Sequence, residues 1–82
     1  MAKEKPIASG GIGYKVYVYP NRVVIRYNIF KKTTIPIRRI DQVEVSTLTN
    51  RLFIHTENKK HTISFGTDRK AQQIADAIIA QM

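Results

Sequence analysis

Apolar and polar residues alternate with a period of two over most of the stretch from Tyr14 to Phe65, and the pattern becomes helical after Gly66. A period of two is typical of strands that bury one face, because successive side chains of a strand point to opposite faces. Apolar residues at three- and four-residue intervals are typical of an amphipathic helix. The sequence therefore predicts a mainly β fold with one C-terminal α-helix.

Six segments carry the alternation, and Pro, Asn and Lys separate several of them. The apolar positions are Val16 and Val18; Val23, Ile25, Tyr27 and Ile29; Ile35 and Ile37; Val43 and Val45; Leu52 and Ile54; and Ile63 and Phe65. The predicted turns are Pro20-Asn21, Thr49-Asn50 and Asn58-Lys59. Pro36 indicates that the third strand is an edge strand or is distorted there. We expect six antiparallel strands, and residues 6–12 are a candidate for an irregular seventh.

The last two strands have a predicted register. A two-residue turn at Asn58-Lys59 would place Ile54 opposite Ile63 and Leu52 opposite Phe65. Such matched apolar pairs favour a hairpin.

The C-terminal segment has the apolar spacing of a helix that buries one side. The residues that define this side are Ala71, Ile74, Ala75, Ile78 and Met82. Thr67 or Asp68 can cap the first turn. We expect Ile74 and Ile78 to be buried against the sheet, where the helix would also cover an edge.

The length and composition indicate one small globular domain of 82 residues, of which 43% are hydrophobic and 24% charged. We assign residues 1–13 to a flexible N-terminal tail and residues 14–82 to the domain. The chain has no cysteine, which excludes disulfides and thiolate zinc sites. No apolar run reaches the roughly 18 residues of a membrane helix, and the first residues lack the apolar segment of a secretory signal. We expect a cytoplasmic protein.

The order of elements resembles the pleckstrin-homology (PH) superfold, and within it the short bacterial PH-like domains. The residues that carry the resemblance are Val18-Tyr19-Pro20-Asn21-Arg22-Val23-Val24-Ile25, Ile35-Pro36 with Ile40 and Val43, the hairpin from Leu52 to Phe65, and the terminal helix. It covers roughly residues 14–82. The resemblance implies a bent antiparallel barrel of about six to seven strands, capped at one end by the helix.

The resemblance also implies a non-catalytic binding module. Many eukaryotic PH domains bind phosphoinositide headgroups, but their basic signature is poorly matched here, where Lys15 is followed by Arg22 and Arg26. Bacterial PH-like domains look more like protein-interaction or assembly modules. We expect a protein partner, or self-association through a strand edge, and no cofactor. Peripheral binding to anionic membrane and binding to nucleic acid remain as alternatives.

The net charge of +8 favours a polyanionic or acidic partner. In an up-and-down meander, alternate turns lie at the same end. One end would then hold the basic residues Arg22, Arg38, Arg39, Lys59 and Lys60. The other end would hold Lys31, Lys32, Arg51 and Arg69-Lys70. Neither end dominates, which indicates a diffuse positive field.

Phe30 is the least expected residue of the chain. It is out of phase with its strand and is followed by Lys31 and Lys32. One interpretation is that Phe30 folds over the end of the barrel, and the other is that it anchors a partner or a lipid surface. Ile29 continues the phase of its strand and is expected in the core. Tyr14, Tyr17, Tyr19 and Phe53 could form an aromatic face that stacks on bases, although packing is the commoner use.

No catalytic or metal site is predicted. The only histidines, His55 and His61, would point to opposite faces of the hairpin, so a shared metal site is not expected. The carboxylates Asp41, Glu44 and Glu57 form no pair suited to acid–base catalysis. No serine has a base at a diagnostic spacing.

Overall fold

The computed structural model describes residues 5–82. The elements are β1 (Ala8–Gly10), β2 (Lys15–Val18), β3 (Arg22–Arg26), β4 (Lys32–Pro36), a 3-10 helix (Ile37–Arg39), β5 (Ile40–Ser46), β6 (Arg51–Thr56), β7 (Lys60–Ser64) and α1 (Asp68–Gln81). The strands form two antiparallel sheets, the first with the order β1-β2-β3-β4 and the second with the order β5-β6-β7. The predicted mainly β fold with a C-terminal helix is confirmed. The strand pairing of residues 5–82 does not close the sheets into a barrel.

Strand β1 lies inside the segment that the sequence assigns to a flexible tail. Ala8 pairs with Val18, and Gly10 pairs with Val16. The tail assignment is wrong for these residues, because their backbone groups extend the first sheet. The irregular strand considered for residues 6–12 is present, and residues 1–4 of the predicted tail lie outside the described residues.

The β2–β3 hairpin has the predicted turn at Pro20-Asn21. The Tyr19 N–H donates to the Arg22 carbonyl over 2.8 Å, which closes a two-residue loop. The third predicted strand is shorter than expected, because Ile37 begins the 3-10 helix after β4 ends at Pro36. As Pro36 indicates, β4 is an edge strand of its sheet.

The β6–β7 hairpin has a register that differs from the prediction. Leu52 pairs with Ile63, and Ile54 pairs with His61. The Thr56 N–H donates to the Lys59 carbonyl over 2.8 Å, so the loop is one residue earlier than predicted. A shift of two residues keeps every side chain on its face. The alternation of apolar residues therefore could not distinguish the two registers.

The core lies between the two sheets and α1. Its buried residues are Val16, Val18, Val23, Ile25, Ile35, Ile37, Ile40, Leu52, Ile54, Ile63, Phe65, Ala71, Ile74, Ala75 and Ile78. Ile74 and Ile78 are fully buried, as predicted. Thr67 caps α1, because its hydroxyl accepts from the Lys70 N–H over 3.1 Å. The helix packs on strands of both sheets and so holds them together.

The two sheets also meet at an isolated bridge between Ile12 and Ser64, where the Ile12 N–H donates to the Ser64 carbonyl over 2.8 Å. Gly11 beside it has a φ of 121°, a conformation that residues with a side chain rarely adopt. A Cβ at Gly11 would also collide with the Tyr14 carbonyl oxygen. The glycine segment before β2 thus forms a tight, defined connection.

Candidate binding surface

The loop of residues 27–31, the β3–β4 loop, exposes two large apolar side chains. Ile29 is 74% exposed and Phe30 is 92% exposed. Ile29 does not lie in the core, contrary to the prediction. Of the two interpretations of Phe30, the one in which it folds over the end of the barrel is wrong. β3 ends at Arg26, and the Asn28 side-chain oxygen accepts from the N–H groups of Phe30 at 2.7 Å and Lys31 at 2.9 Å. This local turn interrupts the alternation, so the phase of β3 does not extend to Ile29.

The first sheet presents a mixed aromatic and basic surface away from the core. We call it the outer face of the first sheet; its residues are Lys15, Tyr17, Arg22, Val24, Arg26, Lys32, Thr34 and Pro36 on β2 to β4, together with Tyr19, which follows β2. A groove of about 540 Å³ lies between this face and the β3–β4 loop. Its lining residues are Tyr17, Tyr19, Val24, Arg26, Asn28, Ile29, Phe30, Lys31 and Lys32.

One cation lies over an aromatic ring of this face, and another lies over the ring of Tyr27, which packs against the core on the opposite side of the sheet. The Arg22 guanidinium carbon lies 4.1 Å from the centroid of the Tyr19 ring. Lys31 Nζ lies 5.5 Å from the centroid of the Tyr27 ring. Such contacts hold the rings and the charges in fixed relative positions and are worth about 0.5–1 kcal/mol where solvent reaches them.

The predicted group of basic residues at the opposite end is largely brought together. A cavity of about 790 Å³ is lined by Asn21, Arg22, Thr34, Pro36, Ile37, Arg38, Ile40, Gln81 and Met82. A second cavity, of about 600 Å³, is lined by Arg38, Arg39, Asp41, Thr56, Glu57, Asn58 and Lys59. Because Arg38 belongs to both, the two cavities adjoin, and together they are lined by Arg22, Arg38, Arg39 and Lys59, with the carboxylates of Asp41 and Glu57 in the second. Lys60 lines neither cavity; it begins β7, and its Nζ is 5.1 Å from the Phe53 ring centroid.

The positive charge of the protein is unevenly distributed along the chain. Residues 5–40 contain eight Lys and Arg and no Asp or Glu, whereas residues 41–82 contain five residues of each sign. The first range comprises the whole first sheet and the 3-10 helix. The net charge of +8 is therefore carried by the half of the chain that forms the first sheet. Counting charges by segment, instead of by turn, would have revealed this from the sequence.

The two histidines lie on opposite faces of the β6–β7 hairpin, as predicted. His61 shares a face with Ile54, and His55 pairs with Lys60 on the other face. His55 Nε2 lies 2.7 Å from a carboxylate oxygen of Glu44. Within residues 5–82, no group of three or more His, Cys, Asp or Glu could hold a metal ion. The absence of a metal from the working protein stays a prediction.

No helix in the described part of the chain is long and apolar enough to cross a membrane. The sequence matches no known protein family and no curated protein.

Proposed function

We propose that this protein is a non-catalytic binding module with a PH-like fold, and that its partner is a protein with an acidic surface. The proposed site is the outer face of the first sheet together with the β3–β4 loop. The observation that carries the proposal is the exposure of Phe30 beside Lys31 and Lys32, on the half of the chain that has no carboxylate.

The exposed loop offers a partner both apolar area and charge. Burying a Phe side chain that was in water stabilises a complex by about 1.5–3 kcal/mol. The folded protein alone does not gain this stabilisation, since Phe30 is exposed. Lys31 and Lys32 would attract an acidic surface at long range. Residues 41–82 carry no net charge and would not compete for that surface.

The PH-like assignment is supported by the order of elements. In residues 5–82, seven antiparallel strands precede one C-terminal helix, and that helix packs on both sheets. The Ile12–Ser64 bridge would be one seam of a bent barrel. A non-catalytic role is supported by the make-up of the proposed site, which offers cations, aromatic rings and aliphatic groups. These groups bind ligands but supply neither a paired acid and base nor an activated nucleophile.

A test uses a blocked hexapeptide of alternating Glu and Val as the acidic probe, at low ionic strength. Phe30→Ala should weaken its binding by about 1–3 kcal/mol. Lys31→Glu combined with Lys32→Glu should slow association and reduce its salt dependence. Leu48→Ala is the matched apolar control, because Leu48 is 96% exposed in the β5–β6 loop on the neutral half. Arg51→Glu with Arg69→Glu is the matched charge control.

The controls should leave peptide binding nearly unchanged. Equal losses in the loop variants and the control variants would contradict the proposed site. Binding to phosphatidylserine vesicles with none to the peptide would contradict a protein partner and favour the membrane alternative.

A second candidate function is binding of single-stranded nucleic acid. The observation that favours it is the groove in which Tyr17 and Tyr19 lie beside Arg26 and Lys32. Base–aromatic stacking is worth about 1–3 kcal/mol per base and needs a basic surface around it. A short oligothymidylate that binds with a steep salt dependence, and that Tyr17→Ala releases, would support this candidate over the acidic protein.

A further inference from the structure

We infer that the free edge of β4 accepts an extended acidic segment of the partner as a fifth strand of the first sheet. This inference rests on the proposed function and adds the edge at which the partner binds and the conformation it takes. It follows from the coverage of the two sheet edges, the direction of the backbone groups of β4 and the charges at both ends of that strand.

The two edges of the first sheet differ in what covers them. β1, at one edge, packs against α1, and the Ile12–Ser64 bridge continues from its end to the second sheet. β4, at the other edge, packs extensively on β3, and no other strand or helix of the described residues lies along it to a comparable extent. An uncovered edge strand is a template for pairing with another chain.

The hydrogen-bond pattern identifies the backbone groups that β4 offers. The Tyr27 N–H donates to the Lys31 carbonyl over 2.9 Å, so this pair is hydrogen-bonded. In an antiparallel ladder, such pairs recur every second residue, which assigns Thr33 and Ile35 to bonds with β3. The N–H and C=O groups of Lys32 and Thr34 then point away from the sheet. These groups are spaced as an added antiparallel strand would need in order to pair with them.

A groove and a cavity lie beside the free edge of β4, one at each end of the strand. The groove of about 540 Å³ includes Lys32 at the start of β4. The cavity of about 790 Å³ includes Thr34 and Pro36 at its end. Side chains of an added strand would therefore have room beside the outer face of the first sheet.

Charge selects an acidic segment over a second copy of this chain. Two β4 strands paired symmetrically at Thr34 would bring Lys31 and Lys32 of one copy towards Arg38 and Arg39 of the other. Like charges across paired strands are destabilising. A Lys and a Pro on an edge strand also discourage self-pairing, and β4 has both, in Lys32 and Pro36. An acidic segment would instead be attracted at both ends of β4.

The experiment follows amide hydrogen exchange in the full chain by NMR, with and without the Glu–Val hexapeptide. In the free protein, the Lys32 and Thr34 amides should exchange quickly and the Thr33 amide slowly. Saturating peptide should slow exchange at Lys32 and Thr34 by at least about tenfold, because an added strand protects those amides. The Thr33 amide should change little and is the internal control.

A pair of variants provides an independent measurement. Thr34→Pro removes an outward N–H without removing a bond to β3, and Thr34→Val keeps that N–H. Thr34→Pro should weaken peptide binding by at least about tenfold and Thr34→Val by much less. If Thr34→Pro fails to fold, the exchange experiment decides alone.

The outcomes separate the inference from the proposed function. Peptide that binds through Phe30 while Lys32 and Thr34 exchange as fast as before would overturn strand addition and leave the proposed function intact. A folded protein that does not bind the peptide at all would overturn both.

Discussion

The Tyr27 hydroxyl lies 3.4 Å from His61 Nδ1, a contact that joins the β3–β4 loop to the beginning of β7 in the second sheet. The Tyr14 ring packs edge-on against the Tyr27 ring, with 4.8 Å between centroids. Burial, and to a lesser degree the nearby charge of Lys59, lowers the pKa of His61 below its ordinary value of 6.5. The folded protein therefore favours the neutral imidazole at this junction.

The lowered pKa of His61 predicts a loss of stability in acid. Below the ordinary pKa of 6.5, the unfolded chain binds a proton at His61 more readily than the folded protein does. The stability that the fold derives from keeping His61 neutral is fully present above pH 6.5 and is lost as the pH falls through and below that value. Thermal melts at a series of pH values should show this step. His61→Gln should reduce it, whereas His55→Gln should leave it, since His61 is intact.

Phe30→Ala should leave the melting temperature nearly unchanged. An exposed side chain gives up little burial when it is truncated, and Phe30 is 92% exposed. Leu48→Ala, with a side chain of similar exposure, is the comparison. A loss of about 3 kcal/mol in the free energy of unfolding of the Phe30 variant would instead mean that Phe30 packs into the fold and is no partner anchor.

Ile74→Ala or Ile78→Ala should each lower the free energy of unfolding by about 2–4 kcal/mol, because both side chains are fully buried between α1 and the sheets. Ile79→Ala provides the control in the same helix, since Ile79 is half-exposed. Urea titrations of the three variants measure the difference. Equal effects at Ile78 and Ile79 would show that the helix buries a different side.

Two neighbouring glycines should respond differently to the same substitution. Gly13 has a φ of 79° and open space around it, so Gly13→Ala should cost about 1–2 kcal/mol from backbone strain alone. Gly11→Ala adds a collision with the Tyr14 carbonyl oxygen and should cost more. Chemical denaturation of both variants makes the comparison. A Gly11 variant as stable as the Gly13 variant would contradict the tight connection described for this segment.

The sequence predicted the elements whose patterning reflects burial. The apolar spacing of Ile74 and Ile78 and the hydroxyl of Thr67 were enough to place α1, because both effects are local. β1 was assigned to a tail, since Ala8, Ser9 and Gly10 lack the apolar alternation of a half-buried strand. Its formation depends on backbone pairing with β2, which the side chains do not reveal.

The candidate site was only partly predictable. Phe30 with Lys31 and Lys32 was identified because an aromatic residue beside two cations is unusual at a turn. The exposure of Ile29 was missed, since it depends on hydrogen bonds accepted by one side chain, that of Asn28. Pro36 indicated an edge position for β4. That this edge stays uncovered could not be predicted, because it depends on which elements pack elsewhere in three dimensions.

The bridge between Ile12 and Ser64 has a consequence for the rate of folding. All strand pairs within the two sheets join neighbours along the chain, so they close short loops and can form early. The Ile12–Ser64 bridge closes a loop of about 50 residues, which costs more chain entropy. We expect it to form after the transition state. Substitutions that weaken this seam should then accelerate unfolding and leave the folding rate almost unchanged.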